Sequence, residues 1–238
     1  MDWMSLKRKG DVKYDGPGQF PETQWTLIRE ARTEAEGLEK WANGYWRPAK
    51  EYLRALGCDD DEAAEITQDF FYKLMQRGVE QVLPQNLDGS FRAYLKRSIR
   101  NFLIDRRRSE KTIRRGSGVV HVSVEDLTVA TDDGGPEQHF DREWVVRVME
   151  NAMEKLKQEA DKSEQRDFFD AIAPFLDGRE ASREAVMIQF GLSSTAFRAA
   201  LYRLRKRYRK LIHEEIRSTV SSDEEFQQEL DYLLSLWT

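Results

Sequence analysis

The residues from Arg198 to Lys210 include seven Lys or Arg and no acid, most of them crowded into RLRKRYRKL, Arg203 to Leu211. A second stretch, Arg92 to Arg115, holds ten Lys or Arg against only Asp105 and Glu110. The 238-residue chain carries a formal net charge of -5, so positive charge is gathered into two places and the remainder is strongly acidic. Cations at this density suit a polyanion, because each one that neutralises a phosphate releases condensed counterions. Other chemistry is not encoded in the same way. His121, His139 and His213 are scattered and Cys58 stands alone, which gives no metal-ligand cluster and no internal disulfide. Glu65 and Asp69 form a carboxylate pair at helical spacing, but no histidine, metal cluster or glycine-rich phosphate loop accompanies them. The expectation is a binding protein with no catalytic residue, no metal and no cofactor. The lone cysteine fits a reducing, cytoplasmic setting. No apolar run reaches membrane-spanning length, and MDWMSLKRKGDVKYDGPG lacks the apolar stretch of a signal peptide, so no membrane partner is expected.

What must position the first set of cations is a helix. Phe197, Leu201, Leu204, Tyr208 and Leu211 fall at i, i+4, i+7, i+11 and i+14, a single apolar face. Arg198, Arg203, Arg205, Lys206, Arg207, Arg209 and Lys210 occupy the flanks and the far side. Upstream, in SREAVMIQFGLSS, Ser182 suits the cap of a short helix holding Ala185, Val186 and Ile188. Gly191 permits a tight turn, and Ser193 suits the cap of the next helix. A short helix, a glycine turn and a basic second helix make a helix-turn-helix. Its second helix would present Ser194, Thr195, Arg198, Ala199 and Tyr202 to base edges. Arg203, Arg205 and Lys206, further along, would hold phosphates of an upstream duplex.

The second cationic stretch, FRAYLKRSIRNFLIDRRRSEKTIRR, reads differently. Phe91, Tyr94, Leu95, Ile99 and Phe102 share one helix face, with Arg92, Lys96, Arg100 and Arg107 opposite. Leu103 and Ile104 point toward the cationic side, either to meet bases or to bury against a neighbouring helix. Cations mixed with apolar and aromatic side chains suit single-stranded nucleic acid, whose backbone they track while unstacked bases meet the rings.

The surrounding pattern is all-α: two small helical domains joined by a flexible linker, the C-terminal one a helix-turn-helix. A loose polar lead occupies 1–22. Helical periodicity, seen for instance in Trp41, Tyr45, Tyr52 and Leu56, runs over 23–115. DDDEAAEITQDFFYKLMQRG is a marked helix, with acids in the first turn where the helix dipole favours them. The segment 116–141 has turn and β-branched residues without helical period and reads as the linker. The second domain covers 142–238. It ends in a helix with Ser222 and Glu225 as a capping box and Phe226, Leu230, Leu233 and Trp237 as its stripe.

Three motifs in this order resemble those of bacterial RNA polymerase sigma factors of the extracytoplasmic-function type, in particular the kind common in planctomycetes. The resemblance spans Thr23 to Trp237. EAAEITQDFFYKL resembles the helix that binds the polymerase clamp; Gln68, Asp69 and Phe71 match its pattern, and Ala64 replaces the usual acid. RNFLIDRRR resembles the segment that melts and reads the minus-ten promoter element, with Asn101, Asp105 and Arg108 in register. FGLSSTAFRAALYRLRKRYRKL resembles the helix-turn-helix that reads the minus-thirty-five element. The resemblance implies that 23–115 is the clamp-binding and melting domain. Glu65, Gln68, Asp69 and Phe71 would face polymerase, and Arg92, Lys96, Arg97, Arg100, Asn101, Asp105 and Arg108 would face the minus-ten strand. Implied partners are core RNA polymerase, promoter DNA as duplex and as melted strand, and an anti-sigma factor. Met187, where a small alanine is usual, and Phe197, bulkier than the usual valine, predict altered packing in the helix-turn-helix. The alternative is a polymerase-independent helix-turn-helix transcriptional regulator, which would need neither EITQDFF nor the second cationic stretch and would usually carry a dimer interface.

Overall fold

In the computed structural model, residues 35–76, 91–115, 135–179, 181–220 and 222–236 are described, and among these the chain is helical throughout with no strand. The polar lead, residues 23–34 and 116–134 lie outside the described residues. The helices are α1 (Ala35–Ala55), α2 (Asp60–Gln76), α3 (Phe91–Arg115), α4 (Pro136–Lys162), α5 (Arg166–Ile172), α6 (Pro174–Asp177), α7 (Arg183–Gln189), α8 (Ser194–Arg217) and α9 (Asp223–Ser235). They divide into two compact units, and the division falls inside α4, after Arg147, and near the end of α8, after Ile216.

The first unit holds α1, α2, α3, the opening turns of α4 and α9. Its heart is apolar because α1, α2 and α3 each turn an apolar stripe inward: Tyr52 and Leu53 from α1, Leu56 from the turn that follows it, Ile66 and Phe71 from α2, and Leu95, Ile99 and Leu103 from α3 are all fully buried. Asp59 helps start α2 by accepting from the Glu62 amide at 2.8 Å, and Asp60, Asp61 and Glu62 line its positive end. Phe140 of α4 sits edge-on to Tyr52 with centroids 5.9 Å apart. The expected linker therefore ends earlier than its turn residues suggest. Residues 136–141 are helix, and the proline of DDGGP that reads as a turn breaker is the first residue of α4. Proline fits there because the first helical amide has no partner to lose.

The second unit holds the rest of α4, then α5, α6, α7 and α8 to Ile216. Ile172, Val186 and Phe197 form its buried centre, with Phe168, Phe175, Met187, Phe190 and Leu204 packed around them. The bulk of Phe197 is met by Phe175, edge-on at 5.3 Å, and Phe168 meets Phe190 in the same way at 5.1 Å. The C-terminal helix α9 belongs to the first unit, whereas the sequence pattern had grouped it with the helix-turn-helix.

Candidate nucleic-acid interface

The helix-turn-helix is built by its caps. The Ser182 hydroxyl accepts from the Ala185 amide at 3.2 Å and starts α7. Gly191 takes φ +61, a left-handed conformation in which a side chain is strained. The Leu192 amide then reaches back to the Met187 carbonyl at 2.8 Å and closes the turn. The Ser193 hydroxyl accepts from the Ala196 amide at 3.1 Å and starts α8. Arg183, at the head of α7, donates to the Ser194 hydroxyl and lies over the Phe197 ring at 5.5 Å, tying the two helices together.

The apolar stripe of α8 turns inward as its spacing requires. Phe197, Tyr208 and Leu211 are buried and Leu201 and Leu204 half-buried. Ser194, Thr195, Arg198, Tyr202, Arg203, Arg205 and Lys206 are all exposed, and Tyr202 is a 56% exposed aromatic amid these cations. Arg198, Arg203 and Lys206 make no ion pair among the described residues, while Arg205 donates to the Phe175 carbonyl at 3.2 Å. Arg207 is withdrawn from the row. Its Nε donates to both carboxylate oxygens of Glu159 at 3.1 and 3.0 Å. That hydrogen bond holds the Glu159 carboxyl below the usual carboxylate range and raises Arg207 in return.

On α3, the spacing of 4, 4 and 3 residues places Arg97, Asn101, Asp105 and Arg108 along one exposed stripe. Leu103 and Ile104 are buried, so of their two readings burial against neighbouring helices is the observed one. The other predicted cations face carboxylates. Arg92, with only 4% of its side chain exposed, pairs with Asp141 at 2.6 Å and Glu229 at 2.7 Å. Lys96 donates to both oxygens of Asp141 at 2.8 Å, and Arg100 pairs with Glu137 at 3.4 Å. Burial pulls the Lys96 ammonium below its usual range, and the Asp141 charge opposes this. Tyr232 of α9 donates to Asp141 at 2.6 Å, and its burial and that bond push its hydroxyl upward.

On α2, Gln68 and Glu65 are exposed and Asp69 is half-buried, and Arg106 of α3 holds both Glu65 at 2.6 Å and Asp69 at 2.8 Å. Phe71 does not belong with them. It is 2% exposed, stacked on Trp46 at 6.1 Å and edge-on to Phe70 at 5.3 Å, because its position on α2 points at α1. Two features escaped the sequence reading. Tyr72, 55% exposed, continues the Glu65–Gln68–Asp69 face, and its signal was the spacing of four from Gln68. Asp141 and Glu229, the partners of Arg92, were legible only as acids beside the apolar residues Phe140 and Leu230. Among the described residues no group of three His, Cys, Asp or Glu could hold a metal, and no helix is long and apolar enough to cross a membrane. Comparison with protein families, curated proteins and solved structures finds no match.

Proposed function

We propose that this protein is a sigma factor: it binds core RNA polymerase, recognises promoter DNA and assists its melting, without catalysing a reaction itself. The observation that carries the reading is the capped helix-turn-helix whose exposed side is Ser194, Thr195, Arg198, Tyr202, Arg203, Arg205 and Lys206. Polar and cationic groups at the head of the second helix suit base edges and those further along suit phosphates. A duplex-binding module alone would not account for the first unit. Its α3 stripe of Arg97, Asn101, Asp105 and Arg108 offers amide and guanidinium groups to a strand whose bases are unstacked. Its α2 face of Glu65, Gln68, Asp69 and Tyr72 offers carboxylates and an aromatic side chain to a basic protein groove. The test is a pull-down with core RNA polymerase followed by run-off transcription on the DNA upstream of the protein's own gene. Association and a defined start site support the reading. Tight duplex binding with no polymerase association would instead support the polymerase-independent regulator. An anti-sigma factor would be sought among proteins that block either exposed face.

A further inference from the structure

The C-terminal helix is the part of the chain that the proposed function leaves unused. Its buried face is Phe226, Leu230, Leu233 and Leu234, and one carboxylate, Glu229, is buried among them. Glu229 reaches Arg92 of α3 at 2.7 Å, Asp141 of α4 reaches the same guanidinium at 2.6 Å, and Asp141 also holds Lys96. Arg92 further lies over the rings of Trp144 at 5.1 Å and Tyr232 at 5.2 Å. The group is a balanced set of two cations and two carboxylates walled by two aromatic rings.

We propose that α9 is an intramolecular ligand of the cationic face of α3, and that single-stranded nucleic acid competes with it for Arg92 and Lys96. The proposal rests on the sigma-factor reading and adds a device to it. The chemistry is interchangeable: a carboxylate and a phosphate present the same kind of acceptor oxygens to a guanidinium, and Trp144 of α4, which stays in place, is a ring on which a base can stack. The balance of charge gives direction. When α9 leaves, Glu229 leaves with it, and Arg92 and Lys96 outnumber the one remaining carboxylate, Asp141. The contact is also poorly suited to permanence. Arg92 Nε and Nη1 and Glu229 Oε1 are buried without a hydrogen-bond partner among the described residues, so the ions are close but misaligned. A buried ion pair of that kind recovers little beyond its own desolvation, so it adds little to the apolar packing that seats α9. Arg217 stands at the junction, paired with Asp223 and over the Phe226 ring at 4.5 Å, where α8 ends and the chain turns into α9.

Two measurements on the full chain test this. The probe is a fluorescein-labelled, mixed-sequence single-stranded DNA of about twelve nucleotides, within the usual site size of such binders. Glu229→Gln keeps the shape of the side chain and removes its charge. It should tighten binding of this probe about tenfold, an ordinary coupling between competing ligands, and leave affinity for duplex DNA unchanged. In the wild-type chain, saturating probe should raise amide hydrogen exchange across 222–236, since competition is reciprocal. Bound probe with no change in exchange of α9 would overturn the proposal and spare the sigma-factor reading, even if Glu229→Gln failed to fold. A Glu229→Gln chain with native circular dichroism and unaltered probe affinity would overturn it equally. If neither single-stranded nor duplex DNA binds, the reading beneath it falls and the proposal with it.

Discussion

On the proposed function, two kinds of contact separate by position among the exposed residues of α8. Arg198 lies one turn into the helix, where a guanidinium can meet a guanine edge, and Lys206 lies two turns further, where a charge meets phosphate. Both are exposed and unpaired among the described residues, so replacing either leaves the buried centre intact. Arg198→Ala is expected to cost about 1–3 kcal/mol on a selected upstream element and far less on scrambled duplex. Lys206→Ala should weaken both duplexes alike and reduce the steepness of the salt dependence by about one unit. Fluorescence anisotropy over a salt series on the two duplexes separates the cases. The same logic at α2 points to Tyr72. An exposed tyrosine beside Gln68 and Asp69 is the side chain with most contact area to give a partner, and interface hot spots favour tyrosine. Tyr72→Ala should weaken association with core polymerase by about 1–2 kcal/mol, the scale of an interface anchor, with an unchanged melting temperature. Asp69 is a less direct probe, since reversing its charge would also set it against Arg106.

The turn between α7 and α8 depends on backbone conformation more than on space. Gly191 has φ +61, and a Cβ built there meets nothing within 4 Å, so Gly191→Ala adds strain without a clash. The expected loss is about 1–2 kcal/mol, the cost of left-handed backbone for an L-residue, read as a lower melting temperature in thermal denaturation. Between α4 and α8 the determinant is charge. The Arg207 guanidinium holds the Glu159 carboxyl below its ordinary value, so the pair stabilises fully above the usual glutamate pKa of about 4.3. That contribution shrinks as pH falls below this value, where the unfolded carboxylate binds its proton first, and it is lost as pH falls through the lowered folded value, where Glu159 is protonated and the pair breaks. Arg207→Gln should therefore lower the melting temperature at neutral pH and flatten its dependence on acid, a difference visible in denaturation curves collected on both sides of pH 4. These elements were largely legible in sequence. The stripe from Phe197 to Leu211, the caps Ser182, Ser193 and Ser222 and the turn glycine obey local rules that need no knowledge of neighbours. The packing against Phe197 was not. Phe168 and Phe175 lie in α5 and α6, and no periodicity in α8 reveals which distant rings will fill the space beside it.

At the scale of the whole chain, the two cationic stretches that look alike in composition have different surroundings. On α8 most of the charge reaches solvent, whereas on α3 only one stripe does, because α4 and α9 bring Glu137, Asp141 and Glu229 to Arg92, Lys96 and Arg100. Sequence showed the cations but not this, since the carboxylates come from about 37 to 137 residues downstream, and such distances leave no mark on local spacing. The grouping of α9 with the first unit was hidden for the same reason. The division of labour assigned above turns on this difference, and promoter melting is where it becomes measurable. Asn101 and Arg97 are the first two exposed polar groups of the α3 stripe, and neither contributes to the buried face of that helix. If they hold bases already extruded from the duplex, their contacts offset an unstacking cost of a few kcal/mol per base. That cost is absent on a template whose minus-ten region is already unpaired. The double variant Asn101→Ala, Arg97→Ala should accordingly lose much more run-off transcript from fully duplex promoter than from the same promoter carrying a pre-melted bubble, with polymerase association unchanged in pull-down. An equal loss on both templates would assign the stripe to anchoring the strand after opening rather than to opening it, and loss of polymerase association would move the docking surface from α2 onto α3.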